Sequence, residues 1–219
     1  MRLVHHIAII VSVLCFSSIK TEAQNKNQEH KFFLKLYGGG SHVANMNING
    51  QDAELLNSIH IDTKIGFSSG ISIGYQWNEK IATVLGWEYK SNSSSTSIDN
   101  LEYDGNYASN IIYLDGLYSL YKNDKSTLYT GAGLAMIEEI DLDYETNGSE
   151  VSFSESGRIG VHLILAYDYE LSRRWILNTE LRKSFFSKFD LKEEGGSNQT
   201  LVDLKYNPTT LNIGIKYMF

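Results

Sequence analysis

The sequence predicts an all-β fold in which eight antiparallel strands close up-and-down into a barrel that crosses a membrane. Three observations predict it: apolar residues recur at every second position in eight segments, the links between segments alternate in length, and aromatic side chains gather at segment ends.

The alternation is clearest from Ile65 to Trp77. There Ile65, Phe67, Ile71, Ile73, Tyr75 and Trp77 share one face with Ser69, while the other face holds only Gly, Ser and Gln. Seven other segments align to this template. Their apolar faces run through Phe32, Leu34 and Leu36; Ile81, Leu85, Trp87 and Tyr89; Ile112, Leu114, Tyr118 and Leu120; and Leu128, Ala132, Leu134 and Met136. They continue through Ile159, Val161, Leu163, Leu165, Tyr167 and Tyr169; Trp175, Leu177 and Leu181; and Leu211, Ile213, Ile215, Tyr217 and Phe219. An even strand number is what antiparallel closure of one chain requires.

Short links fall at residues 78–80, 122–126 and 171–173, and long polar links at 41–64, 91–107, 140–156 and 188–208. Membrane barrels carry short periplasmic turns and long extracellular loops, so both termini are expected on the periplasmic side. Tyr75, Trp77, Tyr118, Tyr121, Tyr167, Tyr169, Trp175, Tyr217 and Phe219 all lie near the short turns or the C-terminus and should form one interfacial girdle. Trp87, Tyr89 and Phe185 lie near the long links and supply part of the other.

Composition agrees once the architecture is considered. Alternation dilutes apolar residues, so 42% hydrophobic and 21% charged residues are compatible with a membrane barrel, and 14 Tyr, 9 Phe and 3 Trp against one Pro favour many strands. Arg2, the apolar run Ile7–Phe16 and the small-residue stretch Thr21-Glu22-Ala23 read as a secretory leader. The expected organisation is a signal peptide over 1–23, a short lead over 24–30 and a barrel over 31–219. Cys15, the one cysteine, falls in the leader, so the mature chain should carry no disulfide. A net charge of −7 argues against nucleic acid as a partner.

With apolar positions facing lipid, their neighbours face the lumen: Lys35, Gln76, Glu88, Asp115, Arg158, His162, Glu180, Arg182, Asn212 and Lys216. Eight strands enclose a space that side chains nearly fill. Glu88, Asp115 and Glu180 should therefore pair with Arg158, Arg182, Lys35 or Lys216, since an unpaired buried charge is costly. Such a polar network reads as a structural plug, with a gated ion path as the sharper alternative.

His162 reads as a hydrogen-bonded interior residue, because catalysis needs partners and none is evident in sequence. No metal or cofactor site is expected. Acids at Glu138, Glu139, Asp141, Asp143, Glu145 and Glu150 read as a solvated surface more readily than a calcium loop.

The run Leu128-Tyr129-Thr130-Gly131-Ala132-Gly133-Leu134 resembles a strand signature of the small outer-membrane β-barrel family that includes OmpX-like and OmpA-like barrels. The ending Ile215-Lys216-Tyr217-Met218-Phe219 resembles that family's C-terminal signature. The resemblance implies a Gram-negative outer-membrane protein recognised through its last strand by the barrel-assembly machinery. It also implies outer-membrane lipid and lipopolysaccharide as partners, and an extracellular ligand of unknown identity at the loops. The expected function is non-enzymatic, with a narrow channel for ions or small solutes as one alternative and a lipid A-modifying enzyme as the other. Lipid A deacylases carry a His-x-Ser pair, whereas this chain reads His162-Leu163-Ile164.

Overall fold

In the lower part of the molecule eight strands form a closed ring in which every strand is hydrogen-bonded on both sides. The computed structural model describes residues 31–50, 58–98, 101–146, 149–194 and 200–219; the expected leader and lead lie outside them. The ring runs β1 (Phe32–His42), β4 (Gly66–Gln76), β5 (Ile81–Ile98), β6 (Leu101–Lys122), β7 (Ser126–Thr146), β9 (Arg158–Glu170), β10 (Trp175–Phe186) and β13 (Thr209–Met218), with β13 closing antiparallel on β1. Closure is what lets strands enter hydrocarbon, because no edge of unpaired N–H and C=O groups remains.

Register fixes the geometry. The line Phe32, Tyr75, Thr83, Gly116, Ala132, Leu163, Lys183, Thr209 follows paired residues once around the ring and returns to β1 at His42, ten residues above its start. That stagger corresponds to strands tilted about 40°. Ten residues at about 3.3 Å each, so inclined, climb about 25 Å, the height of the apolar band such barrels carry. The outward face of this band holds exposed Leu36, Ile71, Leu85, Leu114, Leu163, Leu181 and Ile213.

Short turns close the lower end, each tied by one polar side chain. Asn78 Oδ1 accepts from the backbone N–H groups of Lys80 and Ile81, Asn123 Oδ1 from those of Lys125 and Ser126, and Ser172 Oγ from those of Arg174 and Trp175. The aromatics expected there sit on this rim in contact. Phe32–Tyr75, Tyr75–Trp77, Trp175–Tyr217 and Tyr217–Phe219 lie 4.7, 4.8, 4.8 and 5.1 Å apart between ring centres. Tyr121 is pushed outward beside Leu120 by a register shift after Ser119, while Tyr167 and Tyr169 face outward on β9.

The four long links differ from their expectation as loops, because much of each is strand. β5, β6 and β7 run on for 18, 22 and 21 residues, far beyond the apolar band. Around them β8 (Ser149–Glu155), β11 (Phe189–Glu193), β12 (Thr200–Leu204), β2 (Met46–Gly50) and β3 (Ser58–Thr63) complete a second eight-stranded ring, with β3 closing on β5. Two tiers therefore share three strands. The other five strands break between tiers, one break passing through Gly157, which takes a left-handed φ of 74°.

Polarity reverses between the tiers. In the membrane tier apolar groups face out, whereas in the upper tier Val43, Ile61, Leu142, Phe153, Leu191 and Leu204 are fully buried or nearly so and face in. On β7 the reversal has a visible cause. Ile137 opposes Ile111 and Glu139 opposes Asn110, so Glu138 is an extra residue. This bulge lets odd positions (Tyr129, Ala135, Ile137) point inward below it and even positions (Ile140, Leu142, Tyr144) above it.

An Ile213→Arg substitution, at mid-height on the lipid face, should lower the stability of the folded barrel in liposomes by about 2–4 kcal/mol. Urea unfolding monitored by tryptophan fluorescence measures it, and a change at Thr209, near the band's edge, should cost less.

Candidate functional site in the barrel interior

Most inward positions of the membrane tier are polar, small or aromatic, the aliphatic exceptions being Val84, Leu117, Ile164 and, higher up, Ile111 and Ile137, and the charged ones converge. Glu180 on β10 accepts from Lys35 Nζ at 2.6 Å, from Arg182 Nη2 at 2.7 Å and from Arg182 Nε at 3.1 Å. Arg182 Nη2 also donates to Asp115 Oδ2 at 2.9 Å, and the other oxygen of Asp115 contacts His162 Nε2. All five side chains are buried, so each charge is satisfied by a partner and none by bulk water.

Two pairs complete the network, and neither matches the partners expected from sequence. Glu88 pairs with Lys90 at 2.8 Å and accepts from Asn212 Nδ2 at 3.1 Å. Lys216 pairs with Asp168 at 2.6 Å, whose second oxygen accepts from Asn178 Nδ2 at 2.7 Å. Both newcomers were legible: Lys90 continues the inward even positions of β5, and Asp168 lies between outward Tyr167 and Tyr169. Arg158 corrects the expectation. It stands at the start of β9, where the tiers break, with its side chain 42% exposed and paired to Glu155 at 3.2 Å, so it takes no part in the plug. Gln76 likewise turns to the lower rim and donates to the carbonyls of Asn78 and Ile81.

Aromatic rings fill the remaining space. The Arg182 guanidinium lies 3.8 Å from the centre of the Tyr113 ring, and Tyr113 and Tyr37 hydroxyls lie 3.0 Å apart. Gly70 and Gly86 make this possible, since a methyl group at either would overlap the Tyr37 or Tyr113 ring.

Among the described residues three histidines stand on strands, His42 on β1, His60 on β3 and His162 on β9. His162 faces Asp115 on one side and Ser184, its cross-strand partner on β10. The trio has the residue types of a hydrolase triad without its geometry, because His162 Nδ1 has no hydrogen-bond partner among the described residues and Ser184 does not reach it. All three are buried.

Above this layer apolar side chains dominate the interior, interspersed with buried Ser41, Asn92 and Ser109. Ile111, Ile137, Tyr107, Phe186 and Tyr206 are each at most 6% exposed and lie between the Lys35–Glu180–Arg182–Asp115 cluster and the upper tier. Of the acids expected on the third long link, Glu139, Asp141, Asp143 and Glu145 lie on the outer face of β7, Glu138 is its bulge residue, and Glu150 belongs to β8. Asp141 is half-buried, and burial, followed by the charges of Glu139, Asp143 and Glu194, pushes its carboxyl up to about 6.

A family model described as "Outer membrane protein beta-barrel domain" matches residues 11–219. Among solved structures, the chain is similar to the outer membrane protein OprG from Pseudomonas aeruginosa, at 16% identity and TM-score 0.63, covering 90% of this chain and 99% of that one. It is similar to a major outer membrane protein from Thermus thermophilus at 12% identity and TM-score 0.56, covering 87% and 100%. Neisserial surface protein A matches at 15% identity and TM-score 0.51, covering 86% and 97%. These likenesses show the fold. No curated protein matches the sequence.

Removing one charge from the network should be far costlier than removing a surface pair. Glu180→Gln leaves Lys35 and Arg182 without their shared carboxylate and should cost about 3–5 kcal/mol, recovered in part by Lys35→Met in the same chain. A double-mutant cycle by urea unfolding reads the coupling. For Asp141, the folded carboxyl holds its proton to a higher pH than the unfolded one, so its contribution to stability is complete below about 4 and is lost as pH rises through about 6. Amide exchange at Leu142 and Tyr144 should accelerate over that window beyond the intrinsic pH effect, and Asp141→Asn should abolish the excess.

Proposed function

The chain belongs to the outer membrane protein β-barrel domain family, and from that premise we propose that it is a non-conducting, non-enzymatic outer-membrane barrel whose upper tier meets an extracellular partner. The membrane tier anchors the chain with termini in the periplasm of a Gram-negative cell. The upper tier, carried clear of the bilayer on β5, β6 and β7, is the surface that a ligand, a host or abiotic surface, or lipopolysaccharide would contact. Recognition commonly resides where a rigid scaffold presents variable connections. The last strand, outward-facing at Leu211, Ile213 and Ile215 and hydrogen-bonded to β1, is the segment offered to the barrel-assembly machinery.

One observation carries the non-conducting reading. An ion entering from below meets Lys216, Lys35, Glu180, Arg182 and Asp115, all paired and buried. Above them it meets the close-packed side chains of Ile111, Ile137, Tyr107 and Phe186, and the buried polar groups beside these are bonded to protein: Lys90 to Glu88, Asn92 to the carbonyls of Ser41 and Lys64, and Ser109 to Tyr206. Breaking the ion pairs alone would not open a path. The same burial speaks against lipid A chemistry, since His162 faces the interior and the lipid-facing neighbours Leu163 and Val161 are apolar.

In planar bilayers the protein should give no conductance steps at modest voltage, and Arg182→Ala should remain silent. Regular ion-selective steps from the unaltered chain would overturn this reading. Lipid A isolated from cells that overproduce the protein should keep its mass, and a new acyl or phosphate pattern would restore the enzymatic alternative.

A further inference from the structure

We propose that the outer wall formed by β10, β13, β1 and β4 holds a lipid A molecule, with its phosphates on a lysine rim and an acyl chain in the groove beneath. The inference rests on the orientation proposed above, in which the two-tiered end is extracellular.

The groove lies on β1. Its outward positions above Leu36 are Gly38 and Gly40, so the wall carries no side chain there. Register sets Ile213 and Leu211 on one flank, opposite Gly38 and Gly40, and Ser69 and Phe67 on the other. Leu36, Phe67, Leu211 and Ile213 are all exposed and continuous with the apolar band. Neither glycine is required by the chain itself. Neither has a positive φ, and an added Cβ would meet only Ser68 O at 3.5 Å at Gly38 or Gly66 O at 3.9 Å at Gly40. Gly39 between them differs, because a Cβ there would overlap the Leu211 carbonyl and Asn212. A groove in this position is covered by the surrounding lipid.

The rim supplies the charge. Lys183 faces outward between Leu163 and Thr209, inside the band, but its ammonium donates to Asn207 O at 2.8 Å and Thr209 Oγ1 at 2.9 Å, which draws it up to the break above β13. Lys205, in that same break, and Lys64, in the break above β4, are exposed and have no carboxylate partner among the described residues, and exposed His42 closes the top of β1. Lys188 is occupied by Asp203 at 3.3 Å, and His60 faces Asp62. The opposite wall at and above this height is acidic, with Glu139 and Asp104 exposed and Asp141 and Asp143 partly so. On the lysine side Asp62, Asp190 and Asp203 are exposed in the tier above, Asp62 facing His60, Asp203 facing Lys188 and Asp190 accepting from the backbone N–H of Asp203. The cations at the rim without a carboxylate partner among the described residues are therefore Lys64, Lys183 and Lys205, which an outer-leaflet lipid carrying phosphates above several acyl chains matches.

The test uses the full chain, refolded in detergent, exchanged with purified lipid A or with phosphatidylglycerol, and weighed by native mass spectrometry. The unaltered protein should retain lipid A in preference to phosphatidylglycerol. The pair Lys183→Gln with Lys205→Gln, and separately Gly38→Val with Gly40→Val, should each reduce lipid A retention at least tenfold while the heat-modified gel shift persists. Equal retention by all three proteins, or preference for phosphatidylglycerol, overturns the site. A Lys205→Cys variant labelled on intact cells by an impermeant maleimide reads orientation separately. Absence of labelling defeats the extracellular placement, and with it the lipid site; labelling with unchanged lipid A retention defeats the site alone.

Discussion

A backbone surrounded by hydrocarbon has no water to satisfy it, and the pairing of β13 with β1 is where this chain meets that demand. Every other strand pair in the lower ring joins neighbours that a hairpin or a two-tier excursion brings together. The seam joins the two ends of the barrel, and Phe219 N–H donates to Phe32 O at 2.9 Å to finish it. With the seam closed, each strand has fixed inward and outward faces, and the sorting of apolar from charged residues follows. Without it, the outward aliphatic groups and the buried charges would both be in the wrong solvent.

The interior charges then form a balanced set. Lys35, Lys90, Arg182 and Lys216 stand against Glu88, Asp115, Asp168 and Glu180, and every one of them is paired within the lumen. Such pairs contribute specificity more than raw stability, because desolvation offsets much of their attraction. Their distribution over β1, β5, β6, β9, β10 and β13 penalises any slip in register, since a one-residue shift would turn a charge toward lipid. The plug therefore selects the correct barrel among alternatives that satisfy the backbone equally well.

Most of the lower ring was legible in the sequence, because one physical rule, alternate residues in alternate solvents, governs it without interruption. Lumen residues followed from that rule, although their partners did not: pairing depends on which strands face one another across the ring, and alternation within a strand carries no such information. Arg158 shows the limit of extrapolation, since it obeys the parity of β9 yet stands where the membrane tier has already ended. The upper tier was hidden for a different reason. Its outward residues, such as Ser93, Asp104, Glu139 and Asp143, face water and read as loop, and the bulge at Glu138 shifts the period by one. A search for apolar residues inside polar runs, at Ile140, Leu142 and Tyr144, would have found a second alternation of opposite sense.

The breaks between tiers give the two rings separate histories. A hairpin such as β2–β3 or β11–β12 leaves the lower ring and returns to it through short irregular stretches, so its length and register are set locally. Such cassettes can be exchanged for others of different sequence while the strands beneath keep their partners. The chain can in this way alter the surface of its upper tier one hairpin at a time and still close the ring below.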